Sequence, residues 1–223
     1  MSYGSQKILI PLNDLIDKHG FEIKKIFEES ETEYVKSLLT YPDGNIYAMP
    51  NINQCYHCSM AQKLWIYKPW LDKLNYKMPT TLSEYKDILK AFKTKDPNGN
   101  EKQDEIPLAG AIDSWFSEMP GFFMCSFIYS DSGGGGKNMT IKDDKVVASF
   151  DKPEWKEGLA YLRDLYKEGL LSPESFTQDG DQFQRMGENP DIVILGSGLG
   201  GHQGIPTQLY GESKRWLDYA AVQ

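Results

Sequence analysis

"TTLSEYKDILKAFKTKDPNGNEKQDEIPLAG", residues 80–110, carries three kinds of signal in succession. Thr81 with Glu84 three positions on is a capping box. Leu82, Tyr85, Ile88, Leu89 and Phe92 then recur at the spacing of one helix face, so an amphipathic helix is expected here. An oxygen-rich loop follows directly, and "IPLAGAI", residues 106–112, reads as a buried strand. Helix, loop and buried strand are the makings of an α/β layer.

The loop can be read two ways. Counted from Asp96, oxygen-bearing side chains fall at relative positions 1 (Asp96), 3 (Asn98), 5 (Asn100), 9 (Asp104) and 10 (Glu105), and the carbonyl of Lys102 at position 7 can complete the shell. That is calcium chemistry, a hard cation held by about six to eight oxygens. The loop departs from a standard EF-hand, with Gly99 at position 4 rather than 6 and Pro107 rather than glutamate at position 12. As a plain Asp-Pro-Asn-Gly turn after a helix it needs no metal. Spacing alone leaves both readings open.

Elements alternate on either side. "PLNDLIDKHG" (11–20) predicts a short helix with Leu12, Leu15 and Ile16 on one side and Gly20 as its stop. "ETEYVKSLLT" (31–40) predicts another, with Tyr34, Val35, Leu38 and Leu39 sharing a face, before an Asp43-Gly44 turn. "KLWIY" (63–67), "KVVASF" (145–150), "DIVILGSG" (191–198) and "LDYAAV" (217–222) read as strands; "KPWLDKL" (68–74) and "FFMCSFIYS" (122–130) read as helical. "DKPEWKEGLAYLRDLYKEG" (151–169) predicts a helix capped by Asp151, with Pro153 in its first turn, Gly169 at its end, and Trp155, Leu159, Leu162 and Leu165 inward. "SDSGGGGKN" (130–138) is expected to be a mobile loop, because four consecutive glycines are costly to order. The class is α/β.

Bulk properties narrow the function. A chain of 223 residues allows one large domain or two small ones, and 40% apolar with 25% charged residues is ordinary globular composition. A net charge of -8 argues against nucleic acid as a partner. No apolar run approaches the roughly 18–20 residues that span a bilayer. "MSYGSQKILIPL" lacks the form of a signal peptide, and "DYAAVQ" stops in what reads as a strand, so the chain reads as a piece of something longer.

Several motifs mislead. "GSGLGG" (196–201) fits a dinucleotide fingerprint, but Gly204 and Pro206 stand where its helix should run. "GGGGKN" (133–138) has Asp131 in place of the first glycine of a phosphate loop and Asn138 in place of its Ser or Thr. "CYHC" (55–58) lacks the helix start of a redox pair and the further ligands of a structural zinc, so its cysteines are expected to be local thiols without chemistry. Asp113, Glu118, Asp179 and Asp181 are carboxylates of the kind a glycosidase pairs, though nothing in the sequence draws two of them together.

"TYPDGNIYAMP" (40–50), the block from Leu64 to Gly110, and "KEGLAYLRDLYKEGLLSPESFTQD" (156–179) together resemble the extracellular solute-binding proteins of ABC importers, carbohydrate type, in the lipoprotein branch of Gram-positive bacteria. The resemblance runs, with gaps, from about Ile10 to Gln223. It implies a type II periplasmic-binding-protein-like lobe, mostly the second, with residues 1–48 a remnant of lobe one up to the hinge crossing and 49–223 lobe two. It implies a structural Ca2+ at Asp96, Asn98, Asn100, Lys102 (through its backbone), Asp104 and Glu105. It also implies an extracellular, membrane-anchored lipoprotein in the full-length protein, with no catalysis, handing a sugar or oligosaccharide to an ABC permease. A glycan-active enzyme or a free-standing calcium-binding module is the alternative.

Such proteins close two α/β lobes on a solute. Aromatic faces stack on sugar rings while carboxylates and amides take the hydroxyls. Ligands of open α/β sheets lie off the carboxyl ends of strands. That rule points to Asn51, Asn53, Gln54 and Tyr56 after the crossing, to Asp113, Ser114 and Trp115 after "IPLAGAI", and to Gly196, Ser197 and Gly198 after "DIVIL". Asp113 and Trp115, acid and aromatic together, are the first choice; Trp65, Trp70 and Trp155 are assigned to packing.

Overall fold

The computed structural model describes residues 2–53, 55–130 and 138–222; the glycine-rich stretch 131–137 and Gln54 lie outside the described residues. The chain forms two compact units, 1–55 and 56–223.

The first unit is helical: α1 (Ser2–Ser5), α2 (Asn13–His19), α3 (Phe21–Glu28) and α4 (Tyr34–Leu39). Its core is Ile16, Ile23 and Ile46, with Leu12, Ile26, Phe27 and Leu39 packed against them. A turn at Gly44, φ 82°, returns the chain so that Ile46 bridges Thr40. Asn13 pins that turn, donating to Gly44 O (3.1 Å) and accepting from Ile46 N (3.0 Å). Of the face expected on α4, Val35 is buried while Tyr34 and Leu38 are exposed, and Leu15 of α2 is exposed too. Helices of six or seven residues present fewer than two turns, too few for a full apolar stripe to be covered.

The second unit is built on β1 (Leu64–Tyr67), which runs antiparallel between β4 (Ser197–Leu199) and β5 (Tyr219–Ala221), with Ile66 opposite Ser197 and Ala220. α5 (Lys68–Lys73) follows β1, and α6 (Leu82–Thr94) lays Tyr85, Ile88, Leu89 and Phe92 on the core. Thr81 caps α6 through Glu84 N (3.2 Å); Glu84 reaches back to Thr80 N (2.8 Å) rather than to the cap residue. α7 (Met119–Met124) and α8 (Pro153–Lys167) add Met119, Phe123, Met124, Leu162 and Leu165 to the same core. Each such fully buried large side chain contributes about 1.5–3 kcal/mol. A hairpin, β2 (Met139–Lys142) and β3 (Lys145–Ala148), turns on Asp143 and Asp144, both at positive φ. α9 (Gly180–Gly187) completes the helices.

Three expectations are corrected here. Residues 191–195 are not a strand; the strand is Ser197–Leu199, and Leu195 makes only an isolated parallel bridge to Ile106. The segment 106–112 is buried over most of its length as expected, yet pairs only through single parallel bridges, Ile106 to Leu195, Leu108 to Leu171 and Ala109 to Gly198. Pro107 removes one ladder donor, and Gly110 meets Ser117 rather than a strand. On α8 the N-cap is Lys152, not Asp151, and Leu159 is exposed.

Candidate functional site

The buried run from Ile106 ends in a tight loop. Ala111 N donates to Ser117 O (3.1 Å), Ser117 N to Ser114 O (3.2 Å), and the Ser117 hydroxyl lies near both Ala111 O and Ser114 O. A Cβ on Gly110 would sit 2.3 Å from Ser117 O, so only glycine lets the loop close this far. Phe116 adopts φ 56°, a left-handed conformation that an aromatic residue takes only when its surroundings force it. The strained turn leaves Trp115, taken as a whole residue, 37% exposed at its tip.

That indole is fixed from several sides. His57 meets it edge-on with ring centres 5.5 Å apart, His202 lies at 5.7 Å, and Phe116 at 5.6 Å. Gly201 donates its N–H to Trp115 O (2.9 Å), and a Cβ there would lie 2.2 Å from the ring. Lys63 ties the same surroundings together through Gly201 O and His57 O, both at 3.2 Å. Burial lowers the pKa of Lys63. It also lowers that of His202, where the charges of His57 and Lys63 add to the effect.

Asp113 and Ser114, which precede Trp115 in the loop, line an open cavity of about 380 Å³ together with Asp179, Gly180, Asp181, Gln184, Gly204 and Ile205. α9 supplies one wall. Asp179 caps it, accepting from Gln182 N (2.7 Å) while Gln182 reciprocates to Asp179 N (2.9 Å). Asp113 accepts from Gly180 N (2.8 Å), so the loop 112–117 is tied to the start of α9. Gln184 donates to Gly204 O (3.0 Å) and Thr207 O (2.8 Å), securing the opposite wall. The structure thus keeps Asp113 and Trp115 on one loop, and gathers Asp113, Asp179 and Asp181 on one cavity, which sequence reasoning left scattered. The missed elements here are α9 and His202; Asp179 with Gln182 is a capping box legible in the sequence.

The loop 96–105 folds around its own carboxylates. Asp96 accepts from the N–H groups of Gly99 (2.9 Å), Asn100 (3.1 Å) and Glu101 (3.0 Å). Asn98 and Asn100 donate their amides to the two oxygens of Asp104, each at 2.8 Å, which hold its carboxyl below the usual range. Lys102 N donates to Asn100 Oδ1 (2.9 Å). Oε1 of Glu105 is buried without a hydrogen-bond partner among the described residues. Burial pushes the Glu105 carboxyl up, and the charges of Asp96 and Asp104 push the same way. An all-oxygen donor set with one orphaned buried carboxylate oxygen fits a hard cation, which would satisfy that oxygen.

Other expected residues lie elsewhere. Gly196 and Ser197 are not strand tips: Ser197 is 0% exposed within β4, bonded to the Tyr85 hydroxyl and Pro107 O, both at 2.6 Å. A Cβ on Gly196 would strike Phe92 at 2.5 Å, and one on Gly198 would meet Phe183 at 2.8 Å. Both readings are corrected to core packing. After β4 the glycines lead into turns rather than a helix, so no dinucleotide fold is present among the described residues. Asn51 and Asn53 are exposed in the first unit, Asn53 accepting from Cys55 N (2.9 Å). Tyr56 is exposed in the second. Cys55 and Cys58 are disulfide-bonded, correcting the expectation of local thiols, and a bonded sulfur is no thiolate ligand for zinc. Trp70 is buried as expected.

No family model matches the chain. Over 203 residues it is 35% identical to the fructooligosaccharide ABC transporter substrate-binding protein FusA of Streptococcus pneumoniae, covering 87% of this chain and 36% of FusA. The solved structure of FusA in complex with kestose aligns to all of this chain and 43% of that one, with TM-score 0.75 and 30% identity. A FusA EF-hand mutant in complex with fructo-nystose gives the same values. An HMO-binding, ABC-transporter-associated solute-binding protein of Bifidobacterium longum infantis aligns over 96% of this chain and 42% of its own, with TM-score 0.75 and 28% identity. The polygalacturonan/rhamnogalacturonan-binding protein YtcQ of Bacillus subtilis is 29% identical over 131 residues, 56% of this chain and 24% of YtcQ. The chain spans less than half the length of each of these relatives.

Proposed function

We propose that this chain, a homologue of FusA and other ABC sugar-binding proteins with their type II periplasmic-binding-protein-like fold, is part of a substrate-binding component that captures an oligosaccharide outside the cell for an ABC permease. The observation that carries the reading is the strained loop 112–117, which presents the exposed residue Trp115 and, two residues before it, Asp113 on the wall of a cavity rich in acceptors. The apolar face of a sugar ring stacks on such an indole, and ring hydroxyls donate to carboxylates beside it. Asp113 and Trp115 are the first binding residues. The disulfide-bonded Cys55 and Cys58 agree with an oxidising, extracellular setting.

Binding rather than catalysis is favoured because Asp113 and Asp179 already serve as acceptors for α9. Calcium is assigned to Asp96, Asn98, Asn100, the Lys102 carbonyl, Asp104 and Glu105, on the strength of the orphaned Glu105 oxygen and of the EF-hand in FusA. When bound, the ion supplies positive charge to three clustered carboxylates. The loop joins α6 directly to Ile106–Ala109, the segment bridged to Leu195 and Gly198, and so to the Trp115 loop. Holding 96–105 rigid thereby holds the binding loop in place.

Tryptophan fluorescence and calorimetry with kestose and other neutral oligosaccharides should report saturable binding, lost in Trp115→Ala, with no release of reducing sugar. Turnover of the glycan, or binding untouched by Trp115→Ala, would sink the reading.

A further inference from the structure

We infer that the cavity selects neutral glycans and refuses uronate-bearing ones, with Asp113, Asp179 and Asp181 as specificity-determining residues. This rests on the glycan-binding reading above and narrows it to a substrate class. The question is open because FusA is named for a fructooligosaccharide and YtcQ for acidic galacturonans, and this chain resembles both.

The lining decides between them. Among the described residues it holds three carboxylates and no cationic side chain. A uronate needs a positive charge or a set of free N–H donors. The start of α9 is the natural place for such donors, but two of its first three N–H groups are already taken, leaving that of Asp181, a residue that itself carries a carboxylate. Gly180 N donates to Asp113 Oδ1 (2.8 Å) and Gln182 N to Asp179 Oδ1 (2.7 Å). The amide of Gln184 is likewise committed, to Gly204 O and Thr207 O. On the indole side, Lys63 gives its ammonium to Gly201 O and His57 O. What remains for a ligand is the Ser114 hydroxyl and the Asp181 N–H as donors, against three carboxylates that include the exposed one of Asp181 in the first turn of α9. Sugar hydroxyls are donors and match those carboxylates; a uronate would face like charge, a repulsion that salt weakens.

The test is calorimetry on the full chain with kestose, trigalacturonate and trimannuronate at low and physiological salt, repeated with Asp181→Asn. The expected result is a neutral ligand bound at least about tenfold tighter than either uronate, the cost of juxtaposed like charges. Asp181→Asn should narrow that gap severalfold by admitting the uronates, as should added salt. A uronate bound as tightly as the neutral sugar, or a gap unmoved by both Asp181→Asn and salt, overturns the inference while leaving glycan binding standing. Silence toward all three probes overturns the glycan-binding reading, and the inference with it.

Discussion

Glu105 shows how one side chain can change the sign of its contribution. Its Oε1 is buried with no partner among the described residues, and its carboxyl is pushed above the usual range by burial and by Asp96 and Asp104. An acid whose folded pKa is raised lowers stability at neutral pH, and the loss is relieved as pH falls through the folded value toward 4.5. Without calcium, Glu105→Gln should therefore raise the melting temperature at pH 7 by about 1–3 °C, as ~0.5–1 kcal/mol does for a chain of this size. With calcium the same substitution should lower it, because a ligand has been removed. Melts in EGTA and in calcium check both arms, and a change of the same sign in each would dismiss the cation site. His202 works the other way. Its folded pKa is lowered, first by burial and then by His57 and Lys63, so its neutral form is the one the fold accepts. Its contribution is complete above the unfolded value of 6.5 and is lost as pH falls below it. His202→Asn keeps an acceptor for Gly204 N, which now donates to His202 Nδ1 at 3.0 Å. The variant should flatten the fall in melting temperature below about pH 6.5; an unchanged slope would show that His202 does not titrate there.

Two glycines in helices separate rigid from yielding contacts. Gly187 closes α9, and a Cβ there would stand 1.7 Å from the backbone oxygen of Pro206, which cannot swing aside. Gly158 lies within α8, where a Cβ would meet Met124 at 2.5 Å, but at the flexible end of a thioether. Gly187→Ala should cost about 1–3 kcal/mol or more through overpacking. Gly158→Ala should stay within about 1 kcal/mol of neutral, since gained helix propensity offsets the shift of Met124. Urea unfolding of both variants decides, and equal losses would contradict the distinction. The same local view explains which elements sequence could declare. α6 and β1 were legible because an apolar stripe, a cap and a run of β-formers agreed with one another. β4 was displaced in the reading because "DIVIL" is the more apolar run, whereas the ladder with β1 falls on the small residues Ser197 and Gly198. Gly198 is chosen by close packing on Phe183 and Ser197 by its bonds to the Tyr85 hydroxyl and Pro107 O, which no local pattern announces. β2 was missed because all four of its residues are exposed and show no alternation. Of the candidates drawn from the ends of apparent strands, Asp113 and Trp115 are exposed on their loop while Ser197 is buried, because 106–112 turns outward after Ala111 and 196–198 enters the core. His202 and the gathering of three aspartates depend on where α9 docks, which is a tertiary fact.

At the scale of the whole molecule, the cores are divided as the chain is. The large cluster around Phe92 and Phe123 and the smaller one around Phe183 draw only on residues from 64 onward. The first unit rests on a separate cluster of three buried isoleucines. The loop 96–105, the Trp115 loop and the acidic cavity all belong to residues 56–223. Residues 56–223 alone, with Cys58→Ser in place of the half-cystine left by removing Cys55, should therefore unfold in one cooperative transition, keep the near-ultraviolet signal of packed tryptophans, and retain a calcium-dependent rise in melting temperature. Residues 1–55 alone should be marginal or unfolded, since a chain of that size buries too little apolar surface to offset its conformational entropy. Circular dichroism and thermal melts of the two pieces against the full chain make the comparison. A molten 56–223 that regains order only in the full chain would mean that the second unit's core does not suffice, and that a binding loop as strained as 112–117 needs support from outside it.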